Sequence, residues 1–173
     1  MTEKEFLNGI ANGQEDILQK FIDLIDQLKI NYCVIGGLGV NAYVEPVVSL
    51  DLDIIVAIDR LDQLKETFLK DFTIQEFEHS VKLSTTKSRL RIKLQTDPRY
   101  QSFLKGSVNK NILGYEMKVA TLEDILKGKI WACQDNKRRQ SKRQKDLADI
   151  ARIIEAYPHC LQSIPEPIRL KLV

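Results

Sequence analysis

Residues 32–58 read YCVIGGLGVNAYVEPVVSLDLDIIVAI, and the reading of this stretch decides the fold. A short apolar run, Asn31–Ile35, predicts a strand that ends at the pair Gly36-Gly37, where the backbone can turn sharply and admit close approach. Leu38–Tyr43 fits a brief helix stopped by Pro46. Asp51 and Asp53 then open a second apolar run, Leu52–Ile58. Strand side chains alternate faces, so the two aspartates point one way and Leu52 points into the core. Two carboxylates held that close repel each other and call for a cation between them; a divalent metal is the usual one, and phosphoryl transfer the usual chemistry. The bland alternative is a strand start with two solvated acids.

Outward from there, Ile17, Leu18, Phe21, Ile22, Ile25 and Leu28 recur at helical spacing and predict a helix over 14–29. A shorter segment around Phe6, Leu7 and Ile10 precedes it. Downstream, 59–70 reads as a helix, and 74–77, 81–83 and 90–94 as short strands. Leu90, Ile92 and Leu94 share one face of the last; Arg89, Arg91, Lys93 and Gln95 share the other. Asp97-Pro98 starts a short helix through Phe103, and 111–120 reads as a strand or hairpin broken at Gly114. Thr121-Leu-Glu-Asp predicts a capping box opening a helix to about Cys133, with Trp131 as a core residue. A polar stretch, 134–144, leads into a last helix through Tyr157, and the tail with Pro165 and Pro167 shows no clear pattern. The order predicts an α/β (α+β) chain: a mixed sheet with helices on one face, and a C-terminal helical segment.

At 173 residues and 43% apolar content, the chain is expected to form one domain, its core over about 15–120 and its C-terminal helices over about 121–157. Twenty-six basic residues against 24 acidic ones leave a net charge of +2, too small by itself to imply a nucleic-acid partner. Cys33, Cys133 and Cys160 are odd in number and widely spaced, which argues against a disulfide framework and for a reducing, cytoplasmic setting. There is no secretory pattern at the start and no apolar run long enough for a membrane span. His79 and His159 lack metal-ligand spacing.

With these residues in view, the chain resembles the nucleotidyltransferase superfamily of DNA polymerase beta type, whose pattern is G-G or G-S followed by D-h-D with an apolar centre. It is closest to the small, toxin–antitoxin-associated AbiEii-like nucleotidyltransferases. GGLGV at 36–40, VATLEDILKGKIWA at 119–132 and KRQKDLADI at 142–150 carry the resemblance, in order. It implies a nucleotide site in which Gly36 and Gly37 cradle phosphates while Asp51 and Asp53 hold Mg²⁺ or Mn²⁺ on an NTP. Lys129 and Asp146 match the later lysine and acidic positions of that group, the lysine acting as a point charge on the triphosphate. The implied reaction transfers a nucleoside monophosphate to a protein or RNA hydroxyl.

One departure stands out. The superfamily's third carboxylate belongs on the strand beside D-h-D, and the matching strand, RLRIKLQ at 89–95, offers only Arg89, Arg91, Lys93 and Gln95. Lys93 can neutralise triphosphate charge but cannot ligate a second metal. Asp97, Glu76 and Glu78 are the remaining candidates. The departure opens a second reading, a nucleotidyltransferase-fold module that binds nucleotide, or serves as an antitoxin-like partner, without turnover. Finally, NKRRQSKRQK at 136–145 holds six of the 26 basic residues. It reads either as a solvated helix start or as a landing strip for the phosphates of a nucleic acid or of the triphosphate.

Overall fold

The computed structural model describes residues 1–172. In chain order the elements are α1 (Glu3–Ile10), α2 (Ile17–Gln27), β1 (Tyr32–Ile35), α3 (Gly36–Val40), β2 (Asp51–Val56), α4 (Leu61–Phe68), β3 (Thr73–Phe77), β4 (Ser80–Thr85) and β5 (Ser88–Gln95). A short 3-10 turn (Ile58–Arg60) precedes α4, and a longer 3-10 helix (Pro98–Gly106), β6 (Val108–Ile112), β7 (Tyr115–Val119), α5 (Leu122–Gln134), α6 (Gln140–Ala156), a further 3-10 helix (Pro158–Ser163) and α7 (Glu166–Arg169) complete the order. The strands form one seven-stranded mixed sheet in the order β3-β4-β5-β2-β1-β7-β6. β2 lies at its centre, antiparallel to β1 and parallel to β5.

Alternation along these strands divides the sheet into two faces. Leu90, Ile92 and Leu94 of β5 and Leu52 and Ile54 of β2 are buried on one. α2 packs against β5 on that side. Its Phe21 ring stacks on Phe68 of α4 at 4.9 Å, and Phe68 meets Phe72 edge-on at 5.3 Å. The opposite face carries Asp51 and Asp53 and is walled by the 3-10 helix Pro98–Gly106, α5 and α6. There Phe103 stacks on Trp131 at 5.7 Å and Tyr100 meets the Trp131 indole edge-on at 5.1 Å, so the tryptophan belongs to the packing of this wall.

Local chemistry sets most boundaries. Asp97 Oδ1 accepts from the Arg99 amide at 3.0 Å with Pro98 at the first position, so this acid caps the 3-10 helix. Thr121 Oγ1 accepts from the Asp124 amide at 3.2 Å. The reciprocal half of the expected box is not made: the short Asp124 side chain lies 3.9 Å from Lys127 instead. The complete box is at α1, between Thr2 and Glu5. Thr121→Ala is therefore expected to cost about 1 kcal/mol of stability, read from chemical denaturation.

Two stretches differ from expectation. Half of the polar run 134–144 is already helical, because α6 begins at Gln140, and lysine and arginine are good helix formers. The tail is ordered: Cys160, Ile164 and Ile168 are buried, and the prolines stand at the first turns of short helices. Among the described residues, no helix is long and apolar enough to cross a membrane.

Candidate functional site

β2 delivers Asp51 and Asp53 to the floor of a cleft of about 390 Å³. The register places Asp51 opposite Arg91 and Asp53 opposite Lys93 on β5, so the basic face of β5 turns into the cleft beside the aspartates. On the other flank Asp53 is opposite Ile35, the last residue before the glycine pair. Gly36 has φ +68°, and a Cβ there would lie 2.9 Å from the Asp53 Cβ and still closer to its carboxylate. Only glycine combines that backbone conformation with that proximity. Gly36→Ala is expected to destabilise the fold by about 1–2 kcal/mol from the left-handed backbone alone, and to push Asp53 out of place. Differential scanning calorimetry checks the first effect and the nucleotide assays below the second. Gly37 is different: an added Cβ meets only Ser49 Oγ at 3.9 Å, so lack of space does not demand glycine there.

The two aspartates have opposite surroundings. Asp51 Oδ1 accepts from Arg91 Nε at 2.6 Å, and Lys142 Nζ lies 3.5 Å from Oδ2. Burial raises the Asp51 pKa, but the Arg91 hydrogen bond and charge, with Lys142, outweigh it and hold the carboxyl below its ordinary value. For Asp53, burial pushes the pKa up, and the charges of Lys93 and Lys129 only partly offset it. No described donor hydrogen-bonds Asp53. It is a carboxylate whose charge lacks a close counter-ion, and Asp51 sits on the same face to share one.

The remaining predicted residues lie on α5 and α6. Lys129 is 8% exposed and its ammonium is held by Asp146 Oδ1 at 3.1 Å and Asp149 Oδ2 at 2.7 Å. Burial lowers its pKa, yet these two acids outweigh that and raise it. Asp146, 1% exposed, also accepts from Arg138 Nε at 2.7 Å. The chain of ion pairs continues from Asp149 to Arg152 at 2.8 Å, and Arg152 donates to Asn41 Oδ1 at 3.1 Å and to the Glu45 carbonyl. Asn41 in turn binds the Val47 backbone at both its amide and its carbonyl, 3.0 and 2.7 Å away. The cluster thus joins α5 and α6 to the loop that leads into Asp51.

Lys129 reaches the cleft wall already balanced by two acids, whereas the sequence suggested a free point charge. Further cations line the cleft that sequence reasoning did not single out one by one: Lys82 and Arg139, with no carboxylate partner among the described residues, and Arg138 and Lys142, paired with Asp146 and Asp51. The run 136–145 held a signal for three of them; Lys82 showed none. Arg89, on the expected basic face, does not line the cleft. Glu76 pairs with Lys65 at 3.0 Å on the edge strand, Glu78 lies beside His79 at 3.7 Å, and Asp97 is a helix cap. None fills the place opposite Asp53, which Lys93 occupies. Among the described residues, no group of three or more His, Cys, Asp or Glu is arranged to hold a metal. Two carboxylates on one face, one of them without a counter-ion, fit one divalent cation that also has ligands from a bound anion. A second metal has no protein ligand opposite Asp53. Burial pushes the Cys33 thiol up to about 12, which removes it as a nucleophile.

No protein-family model and no curated protein sequence matches the chain. Solved structures do. The antibiotic-resistance factor ANT(2")-Ia, in complex with adenylyl-2"-tobramycin, superposes with a TM-score of 0.65 at 10% identity, over 91% of this chain and 97% of that one. The lincosamide antibiotic adenylyltransferase LnuA, with lincomycin bound, gives 0.57 at 13% identity over 82% and 98%. An antigenic nucleotidyltransferase-like protein from Paracoccidioides brasiliensis gives 0.52 at 22% identity over 89% and 78%. The fold is therefore that of the nucleotidyltransferases.

Proposed function

We propose that the cleft binds a nucleoside triphosphate with one Mg²⁺ or Mn²⁺, and that the chain transfers its nucleoside monophosphate to a hydroxyl acceptor, a protein or an RNA, the acceptor oxygen bonding to the α-phosphorus as pyrophosphate leaves. The observation that carries this reading is the pairing of Asp51 with a half-buried, unpartnered Asp53 on the floor of a strongly cationic cleft. Asp51 and Asp53 would hold the ion. When bound, it would neutralise charge on the triphosphate and polarise the phosphate under attack. Amides at Gly37 and the start of α3 face phosphate oxygens in this reading. Arg138 and Lys142 add charge to the same wall, each already paired with one acid, as Lys129 is with two. The same three segments that carry the sequence resemblance, at 36–40, 119–132 and 142–150, supply the cleft's turn, wall and cationic rim, which supports grouping the chain with the AbiEii-like proteins. Small hydroxyl compounds also count as acceptors to be tried, given tobramycin and lincomycin in the neighbours.

A specific observation favours a second reading. Lys93 stands opposite Asp53 and Arg91 clamps Asp51, so an anion could bind here without metal and without turnover. Thermal unfolding with each NTP, with and without Mg²⁺ or Mn²⁺, separates the two. The favoured reading expects stabilisation of about 2.7 kcal/mol at a ligand concentration 100 times its Kd, only when metal is present. Transfer of label from α-labelled NTP to a partner then tests chemistry. Equal stabilisation with and without metal, and no transfer, would leave the binding module as the function.

A further inference from the structure

The cleft contains more positive charge than one nucleotide with its metal can use. Lys82, Arg91, Lys93, Lys129, Arg138, Arg139 and Lys142 line it, against Asp51, Asp53 and Asp146. That is seven cationic side chains against three lining carboxylates; Asp149, which also pairs with Lys129, leaves an excess of three. An NTP carrying one divalent cation has a net charge of only about −2.

The surplus has a definite location. Arg91 and Lys142 pair with Asp51, and Lys129 and Arg138 with Asp146. Lys82, Lys93 and Arg139 have no carboxylate within ion-pair distance among the described residues. Sheet register places two of these together. Lys93 on β5 is the direct cross-strand partner of Lys82 on β4, and on its other side of Asp53 on β2. Residues directly opposite in a sheet point to the same face with Cβ atoms about 5 Å apart, and like charges so placed destabilise the pairing. Their flanking neighbours are buried apolar residues, Val81, Leu83, Ile92 and Leu94, which fix the register, so the lysines cannot separate by a strand slip.

We propose that Lys82 and Lys93, with Arg139 across the cleft, form a second anion subsite, which receives a phosphate group of the acceptor. The acceptor is then a hydroxyl compound that carries phosphate. The subsite lies on the β4 side of the aspartates, away from the Gly36-Gly37 turn that serves the nucleotide. A polycationic acceptor would be repelled there. The assignment rests on the nucleotide reading only for what fills the rest of the cleft.

Isothermal titration of the full chain, with Mg²⁺ and a non-hydrolysable NTP analogue saturating, tests it with inorganic phosphate, ribose 5-phosphate, ribose and a short oligoribonucleotide. Phosphate and ribose 5-phosphate are expected to bind and ribose not to. In the double variant K82Q/R139Q their affinity falls by about tenfold or more, as loss of charge-assisted contacts implies, while affinity for the Mg²⁺-bound analogue changes by less than about threefold. An oligoribonucleotide that binds far more tightly, with a steep salt dependence, identifies a nucleic-acid end as the source of the phosphate. Affinity no better than that of ribose 5-phosphate identifies a small phosphorylated compound. The proposal is overturned if phosphate binding disappears once the analogue fills the cleft, or if K82Q/R139Q binds phosphate like the wild type. It is equally overturned if the variant loses analogue and phosphate together. Phosphate binding that K82Q/R139Q weakens, in a protein that ignores Mg²⁺-bound NTP, would instead sink the nucleotide reading and leave the anion subsite standing.

Discussion

Replacing Asp53 with asparagine is expected to have opposite effects on the empty and the loaded protein. In the empty protein, the substitution removes a charge that burial penalises and that no described donor satisfies, so it should raise the melting temperature at neutral pH. Under the nucleotide reading it also removes a metal ligand, so the roughly 2.7 kcal/mol conferred by Mg²⁺ and NTP at 100 times the wild-type Kd should largely vanish. The pH dependence carries the same signature. The folded-state pKa of Asp53 lies above its unfolded value, so its ionisation costs stability as pH rises through that raised value. The advantage of Asp53→Asn over wild type should therefore be full above the folded pKa and fade as pH falls through it. Asp51, held below its ordinary value by Arg91 and Lys142, contributes in the other direction: stability present above its unfolded pKa and lost as pH falls through the folded one. Urea titrations of wild type, Asp51→Asn and Asp53→Asn across the acidic range would separate the two. If Asp53→Asn destabilises the empty protein, the account of an unpartnered carboxylate is wrong.

Asp146→Ala should be the most damaging single change at the cleft for stability. It leaves Arg138 without its carboxylate and Lys129, nine-tenths buried, with Asp149 alone. Breaking a buried ion pair by removing one partner costs about 3–5 kcal/mol; with Asp149 still in place, about 3 kcal/mol is expected. For a chain of this size that lowers the melting temperature by roughly 10 °C. A cost below about 1 kcal/mol, in the range of surface pairs, would mean that water already reaches the cluster. Lys129→Met in the same background should recover part of the loss, because it removes the stranded charge.

How much of this was legible beforehand follows from the range of the forces involved. Alternation in DLDIIV and RLRIKLQ is local, so the shared face of Asp51 and Asp53 and the basic face with Arg91 and Lys93 could be read from residue types alone. The turn at Gly36 was legible too, because few residues but glycine suit it. What alternation cannot give is which strand neighbours which; the placement of Lys93 against Asp53 rested on family resemblance, and the Lys82–Lys93 pairing was not foreseen. The partners of Lys129 were also hidden. A lysine on an amphipathic helix looks solvated until a second helix brings Asp146 and Asp149 over it, and that packing depends on contacts distant in sequence. Thr121 was read correctly as a cap, yet the return bond from Asp124 was not made, since a side chain one methylene short of glutamate does not close the box.

The bridge from Arg152 to Asn41 and Glu45 has a consequence for how the cleft comes into being during synthesis. The aspartate strand and the glycine turn leave the ribosome early, but Lys129, Arg138, Lys142 and Asp146 follow much later, on α5, α6 and the turn between them, and the bridge that ties α6 to the aspartate loop is later still. A nascent chain that has exposed β2 but not α6 carries two adjacent carboxylates with no wall, no counter-charges at 138–142 and a loop untethered at Glu45. Ligand-dependent protection of stalled nascent chains should therefore be absent until residues beyond Arg152 have emerged, and should then appear in a single step.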